Sequence, residues 1–578
     1  MVGCYLLGAL AVTAHLWVDP AGRMQAGDRS DVDLFAWFVQ YAATAVSHGH
    51  LPALVTSAMN APTGINLMWN TSFLLPGVLL SPITLLAGPQ VSLTVALTLG
   101  FAGSAASLFW VLRRWGASLG AAALGGAVYG FSPALVTAGL GHYHLQFAVL
   151  PPLIIDGVAR LLTGRRRGVR TGVWLGLFCA AQLFIGEELL VYTLVASVIV
   201  AATLALSRLR EVPRRVRDAL PGLAAAAVVF LVVDGYALWV QFAGPLNEHS
   251  KLRASLIGNL SWFVVPSGSL LFHTHASANE ALTTLTLPAE YMDYLGWPLI
   301  IVLVIAAVVF WRDMRVRVAA VTWAVLELCA FGGGNLPIFG ARWPGRLLPW
   351  HWIQGLPGLA QVLPWRFAIL ADGAAAALLV FALDRALAAV SRAEDREDRS
   401  GLGWRDWGWQ HVALSAVAVL AVLPLVPLPY KTTPVAQPPA GWQATFSELR
   451  LPSDAPVLIL PFPSGNDSQV LRWQAATGQP GAMIGGYFIG PSSTGQATFF
   501  FQGHGLPAQV AGYLNALEQG RNPRAPSDAE IRSVIASWKT AAIVAVTSAR
   551  SPVDRLLTRL YGSPATHIDG VVSWRLSR

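Results

Sequence analysis

Long apolar runs separated by short, arginine-bearing breaks make up the chain from 1 to 427. The runs fall at 1–18, 91–112, 118–138, 142–163, 171–187, 188–207, 219–243, 297–311, 318–334, 364–384 and 409–427. A helix needs roughly 17–25 predominantly apolar residues to cross a hydrocarbon core, and most of these runs reach or approach that length. The breaks carry Arg113-Arg114, Arg165 to Arg170, Arg208 to Arg217, Arg312 to Arg317 and Arg385 to Arg405. Placing these arginine-rich loops in the cytoplasm pairs the runs into about eleven spans. A further run, 71–88, has no parity to cross. Pro76, Gly77 and Pro82 interrupt it, so it reads as a re-entrant or interfacial element on the outer side. Met1 to Val18 lacks a basic lead and a small-residue cleavage site, and reads as a retained helix rather than a removable signal.

The fold class that follows is an α-helical polytopic membrane protein with a small C-terminal extracytoplasmic α/β domain. Its transmembrane domain covers 1–427, with outer loops 19–90, 244–296 and 335–363. In the first loop, Leu34, Trp37, Phe38, Tyr41 and Ala45 recur at helical spacing over 34–48, a stripe suited to lie on the bilayer surface. The tail, 428–578, follows a proline-rich linker and changes period. Strand-like runs at 457–461, 541–546 and 571–575 alternate with amphipathic helical stretches at 507–518, 527–538 and 552–561.

Composition narrows the class. The chain is 54% hydrophobic and 12% charged, with mean hydropathy +0.53 and 22 Trp, outside the range of ordinary water-soluble domains. A formal charge of +8 suggests nucleic acid at first sight, but the arginines sit in membrane loops, so no nucleic-acid partner is expected. Cys4, Cys179 and Cys329 each lie within an apolar stretch, which excludes a disulfide framework and a cysteine metal site. Lysine is scarce beside arginine and alanine abounds, the bias of a GC-rich bacterial genome. A multi-pass protein of a bacterial plasma membrane is expected.

Asp28, Asp31 and Asp33 crowd one stretch directly after the first apolar run. A carboxylate within reach of an attacking hydroxyl serves as general base, and paired carboxylates also suit a divalent cation through oxygen ligands; spacing does not choose between them. The alternative for Asp31 or Asp33 is the N-cap of the 34–48 helix. Glu187 and Glu188 stand between apolar runs, where acids mark a candidate site unless a wet hairpin tip solvates them. His142 with His144 and His273 with His275 are two outer-loop pairs that could line a site, although two-residue spacing alone is weak evidence for a metal. Outer arginines are scarce by topology. Arg342, Arg346 and Arg366, with Lys251 and Arg253, are therefore candidates to hold a phosphate, against the commoner role of interfacial snorkelling.

One set of residues resembles a family. Gly27-Asp28 with Asp31 and Phe35-Ala36-Trp37, the stretch Asn60 to Asn70, Gly130-Phe-Ser-Pro133 with Gly141-His142, Leu363 to Phe367, and Trp473-Gln474 with Gly485-Gly486-Tyr487 resemble bacterial GT-C-type membrane glycosyltransferases, close to the YfhO-like group. The resemblance implies an inverting transferase that takes a sugar from a polyprenyl-phosphate donor and delivers it to a cell-envelope glycan or glycolipid on the outer face. It places the base at Asp28, with Asp31 beside it, and leaves metal dependence open. No Trp-Trp-Asp signature of asparagine-linked transfer is present. The competing readings are a lipid or glycan transporter, whose acids would relay protons, and a non-catalytic glycolipid-binding assembly factor. The transporter lacks inverted-repeat symmetry in the sequence.

Overall fold

The computed structural model describes the chain except residues 165–167, 248–259, 285–287, 335, 339–340, 357–358, 360–361, 401–407, 492–494, 496, 500–504, 522 and 577–578. Seven helices among the described residues are long and apolar enough to cross a membrane: Pro89–Arg114, Leu119–Ala138, Gly168–Ile185, Glu187–Leu206, Leu209–Phe242, Pro364–Ala393 and Gly408–Leu425. Val2–Val12 and Trp297–Val309 are shorter apolar helices. The protein is a multi-pass membrane protein built around this bundle.

Two of the apolar runs break for local reasons. The run 142–163 is not one helix: a single turn at Tyr143–Gln146 is followed by Pro151–Leu162. Pro151 and Pro152 lack the N–H groups that would carry the helix across the break, and fit the first turn of a new one. The run 71–88 forms two short helices, Leu74–Leu79 and Ser81–Ala87, hinged at Leu80. Glycine sets the closest helix crossing. A Cβ on Gly172 would meet the Gly222 carbonyl oxygen at 1.9 Å, so helices Gly168–Ile185 and Val212–Phe242 touch backbone to backbone.

The expected surface helix is corrected. Arg29–Ser47 buries Val32, Leu34, Phe35, Trp37, Phe38 and Ala45 inside the protein, against the hinged helices on one side and Gln469–Ala476 of the tail on the other. Its apolar stripe is wide because two partners cover it. Asp33 does not cap this helix. The N-cap is Asp28, whose side chain accepts from the Asp31 N–H.

The tail contains a five-stranded sheet in the order Thr566–Ile568, Val571–Arg575, Ala542–Val546, Pro456–Leu460, Ala482–Met483. The pairs of Pro456–Leu460 with Ala542–Val546 and Ala482–Met483 are parallel; the others are antiparallel. Helices Leu506–Glu518, Asp528–Ser537 and Pro552–Tyr561 bury Leu514, Ile531 and Leu557 with Leu458, Leu460 and Ile543 of the sheet. The tail packs against the membrane domain. Thr432–Pro434 pairs with Arg23–Gln25, Met483 bridges to Met59, and the Tyr430 hydroxyl donates to the Val136 carbonyl at 2.6 Å. The tail is thereby laced to the loop that carries the acidic cluster.

Candidate functional site

The acidic stretch is positioned by a close backbone approach. The Asp28 N–H donates to the Leu140 carbonyl at 3.0 Å, and a Cβ on Gly27 would lie 2.2 Å from that same oxygen. Only glycine fits there. A Cβ on Gly141 would lie 3.0 Å from that of Asp28 and 3.4 Å from that of Asp31, so the 139–142 turn lies directly against both acids.

Asp31 is engaged through both oxygens. His142 Nε2 is 3.0 Å from one, and the Tyr487 hydroxyl donates to the other at 2.9 Å. Burial pushes the Asp31 proton affinity up, but the His142 hydrogen bond and charge, then Tyr487 and Arg366, bring its pKa below the usual carboxylate value. Asp28 is different. Ser30 donates to its Oδ1 at 2.7 Å and the Asp31 N–H at 3.5 Å, and among the described residues no arginine or lysine pairs with it. Burial, followed by the Asp31 charge, raises its pKa. The two aspartates are pushed apart: Asp31 is held ionised and Asp28 is made the stronger base.

Behind Asp31 lies an ion-pair network. Arg366 donates Nη1 to Glu188 at 2.5 Å, Nε to Glu290 at 3.1 Å and Nη2 to the other Glu290 oxygen, and Nη2 stands 3.2 Å from His142 Nε2. Trp365 Nε1 donates to Glu290 at 2.6 Å, and the Tyr192 hydroxyl to Glu188 at 2.5 Å. His144 Nε2 is 3.6 Å from Glu188, its ring stacked on Phe35. His142 sits among Asp31, Glu290 and Arg366. Burial and the Arg366 charge lower its pKa, but Glu290 and Asp31 outweigh them and raise it overall.

The structure thus brings together Asp28, Asp31, His142, His144, Glu188 and Arg366 from four separate stretches of sequence. Glu187, half-buried, accepts the Thr71 N–H at 3.3 Å and makes no ion pair with Arg366 among the described residues. Arg366 is buried with its fork turned to two carboxylates, so its position differs from that of an open phosphate clamp. Arg346 is exposed. Arg342 lies in strand Ala341–Trp343, its side chain outside the described residues, as are Lys251 and Arg253. His273 bonds the Leu270 carbonyl at 2.7 Å and His275 is exposed at the start of a helix; neither joins the network among the described residues.

Sequence reasoning did not single out Glu290, Tyr192 or Tyr487 as site residues. Glu290 carried a weak signal, an acid in an outer loop rich in apolar residues. Tyr487 appeared only within the Gly485-Gly486-Tyr487 stretch of the resemblance, since its role depends on the tail folding back over the first loop.

A divalent cation needs several free oxygen ligands. Among the described residues no group of three His, Cys, Asp or Glu side chains is arranged to hold a metal ion. Three of the four central carboxylates already face Arg366 or His142. The described residues as placed do not assemble a cation centre.

No family model matches this chain, and no curated protein matches it. Among solved structures, it is similar to the oligosaccharyltransferase AglB of Archaeoglobus fulgidus, in complex with an inhibitory peptide and a dolichol-phosphate, at 10% identity and TM-score 0.45, over 94% of this chain and 68% of that one. It is also similar to the same enzyme tethered with an acceptor peptide, at 10% identity and TM-score 0.47 over 94% and 68%. A third match is the arabinofuranosyltransferase AftD from mycobacteria, at 14% identity and TM-score 0.47, over 100% of this chain and 39% of that one. Likeness at this level carries no argument about reaction or substrate.

Proposed function

We propose that this protein is a GT-C-type glycosyltransferase that moves a sugar from a polyprenyl-phosphate donor to a hydroxyl of a cell-envelope acceptor. The single observation that carries the reading is the contrast between the two neighbouring aspartates. One is held ionised by its contacts to His142 and Tyr487. The other has no cationic partner among the described side chains, and its proton affinity is raised.

In the proposed step the acceptor oxygen attacks the anomeric carbon, the bond from that carbon to the donor phosphate breaks, and Asp28 takes the hydroxyl proton as attack proceeds. Asp31, His142 and Tyr487 hold the loop in place. Arg366, clamped by Glu188 and Glu290, balances the buried acids beside His142. Arg342 and Arg346 are the arginines proposed to meet the donor phosphate. The site faces outward in this reading, with the tail sheet on the same side, because the arginine-rich loops at the other helix ends fit the cytoplasm.

The test is transfer by the purified, reconstituted protein from a panel of polyprenyl-phosphate sugars. Asp28→Asn keeps a capping side chain but cannot take a proton at neutral pH. Its transfer rate should fall by about 10²–10⁴ with donor binding retained. Transfer at the wild-type rate would remove Asp28 from the chemistry. Donor bound but moved across vesicles without transfer would favour a transporter.

A further inference from the structure

The proposed transfer leaves one cavity of the bundle unused. A cavity of about 340 Å³ lies between helices Pro89–Arg114, Pro151–Leu162, Glu187–Leu206, Met314–Ala330 and Ala368–Ser400. Its walls begin at Ala196 and Leu370 and run to Leu204 and Phe381, away from Glu188 and Arg366. The stretch from Leu370 to Phe381 corresponds to roughly 16 Å of helix. It is a deep slot whose far end lies remote from the acidic network.

The two ends of this slot differ in chemistry. The interior is apolar. The far rim is formed by Arg114, Arg160 and Arg315 with Trp115 and Phe381. Arg114 approaches Asp156 at 3.6 Å, and Asp156 also faces Arg160 and accepts from Trp115 Nε1 at 2.9 Å. Arg315 approaches Asp313 at 3.6 Å, and Asp313 is shared with Arg385. The contacts of Arg114 and Arg315 to carboxylate are single and long, short of the bidentate fork with which a guanidinium grips an oxyanion. Each carboxylate is divided between two arginines, so the rim carries positive charge above an apolar slot. An amphiphile with an anionic head and an alkyl tail matches both halves.

We propose that this cavity binds an anionic glycerophospholipid, with one acyl chain between the helices and its phosphate at Arg114 and Arg315. A free anion would leave the apolar depth unused. The volume lies at the low end of the roughly 300–1,000 Å³ typical of small-molecule pockets, suited to one chain and small for a long polyisoprenoid. The rim belongs to the arginine-rich loops that the charge pattern places on the cytoplasmic side, where anionic lipids attract basic groups. The site is independent of the proposed transfer.

Native mass spectrometry of the detergent-purified protein tests this, with phosphatidylglycerol, acyl-matched phosphatidylcholine and undecaprenyl phosphate as probes. One phosphatidylglycerol should be retained in preference to phosphatidylcholine. The double variant Arg114→Gln, Arg315→Gln should weaken retention by about tenfold or more, and Ala374→Trp, which fills the slot, should abolish it. Arg210→Gln, which does not line the cavity, should bind as wild type. Helical circular dichroism and gel filtration confirm folding of each variant; if Ala374→Trp fails there, Ala377→Met in the same wall takes its place. Equal retention of phosphatidylcholine, preference for undecaprenyl phosphate, or unchanged binding by either cavity variant would overturn the proposal.

Discussion

Arg472 and Asp33 stand 439 positions apart, yet Arg472 Nε donates to Asp33 Oδ1 at 2.8 Å with both side chains almost wholly buried. Ser468 donates to the other Asp33 oxygen at 2.8 Å, and Arg472 also reaches Gln90 at 2.8 Å and the Val32 carbonyl at 3.1 Å. This pair joins the tail helix Gln469–Ala476 to the helix that Asp28 caps. The geometry of the acidic cluster therefore depends on the tail being docked.

Breaking one side of a buried pair typically costs about 3–5 kcal/mol, here lessened on the Asp33 side by Arg29 at 3.6 Å. Arg472→Met should lower the melting temperature of the detergent-purified protein sharply and open the tail to protease. Asp33→Asn should also destabilise, because it leaves Arg472 without its counter-charge, though Gln90 and Val32 keep the loss near the low end. The double variant Asp33→Leu, Arg472→Met should recover part of the stability. A wild-type melting curve for Arg472→Met would show that the pair does not hold the tail.

The acid limb of the pH–rate profile should report Asp28. Its pKa is raised by burial and then by Asp31, so transfer should rise with pH through a value above the ordinary ~3.9 of aspartate. Asp31→Asn removes the neighbouring negative charge, so the limb should move to lower pH in whatever rate survives. A limb left in place, or displaced upward, would assign it to another group.

His142 should make stability fall with rising pH. Its pKa in the folded protein is raised by Glu290 and Asp31 despite burial and Arg366. The protonated form is then favoured by folding. The stabilisation is complete below the ordinary histidine value of ~6.5 and is lost as pH climbs through the higher folded value. Melting temperatures followed from pH 6 upward should decline more in wild type than in His142→Gln. Parallel curves would show that His142 carries no such linkage.

Sidedness can be read directly. In a background with Cys4, Cys179 and Cys329 replaced, cysteines at the exposed positions Ala26 and Ser453 should react with an impermeant thiol reagent in intact cells. One at exposed Arg210 should react only after the cells are opened. Labelling in the opposite sense would put the acidic cluster on the cytoplasmic side and remove the outer-face reading.

Periodicity and composition alone determined that the chain is a helical membrane protein. Each spanning helix satisfies its own backbone hydrogen bonds, so most of the long apolar runs recur as helices, while the proline-broken runs 71–88 and 142–163 do not stay single. The stretches read at 507–518, 552–561 and 571–575 recur as Leu506–Glu518, Pro552–Tyr561 and Val571–Arg575 for the same local reason. The crowding of Asp28, Asp31 and Asp33 was also visible in the sequence. Which of them caps, which pairs and which lacks a cationic partner was not, because Arg472, His142 and Tyr487 arrive from remote segments. The same holds for Arg366, read from sequence as a phosphate ligand and found between Glu188 and Glu290. A local pattern places a charged residue near a membrane surface. Its partner is decided by tertiary packing, because a buried charge is tolerated only where another segment supplies the opposite one.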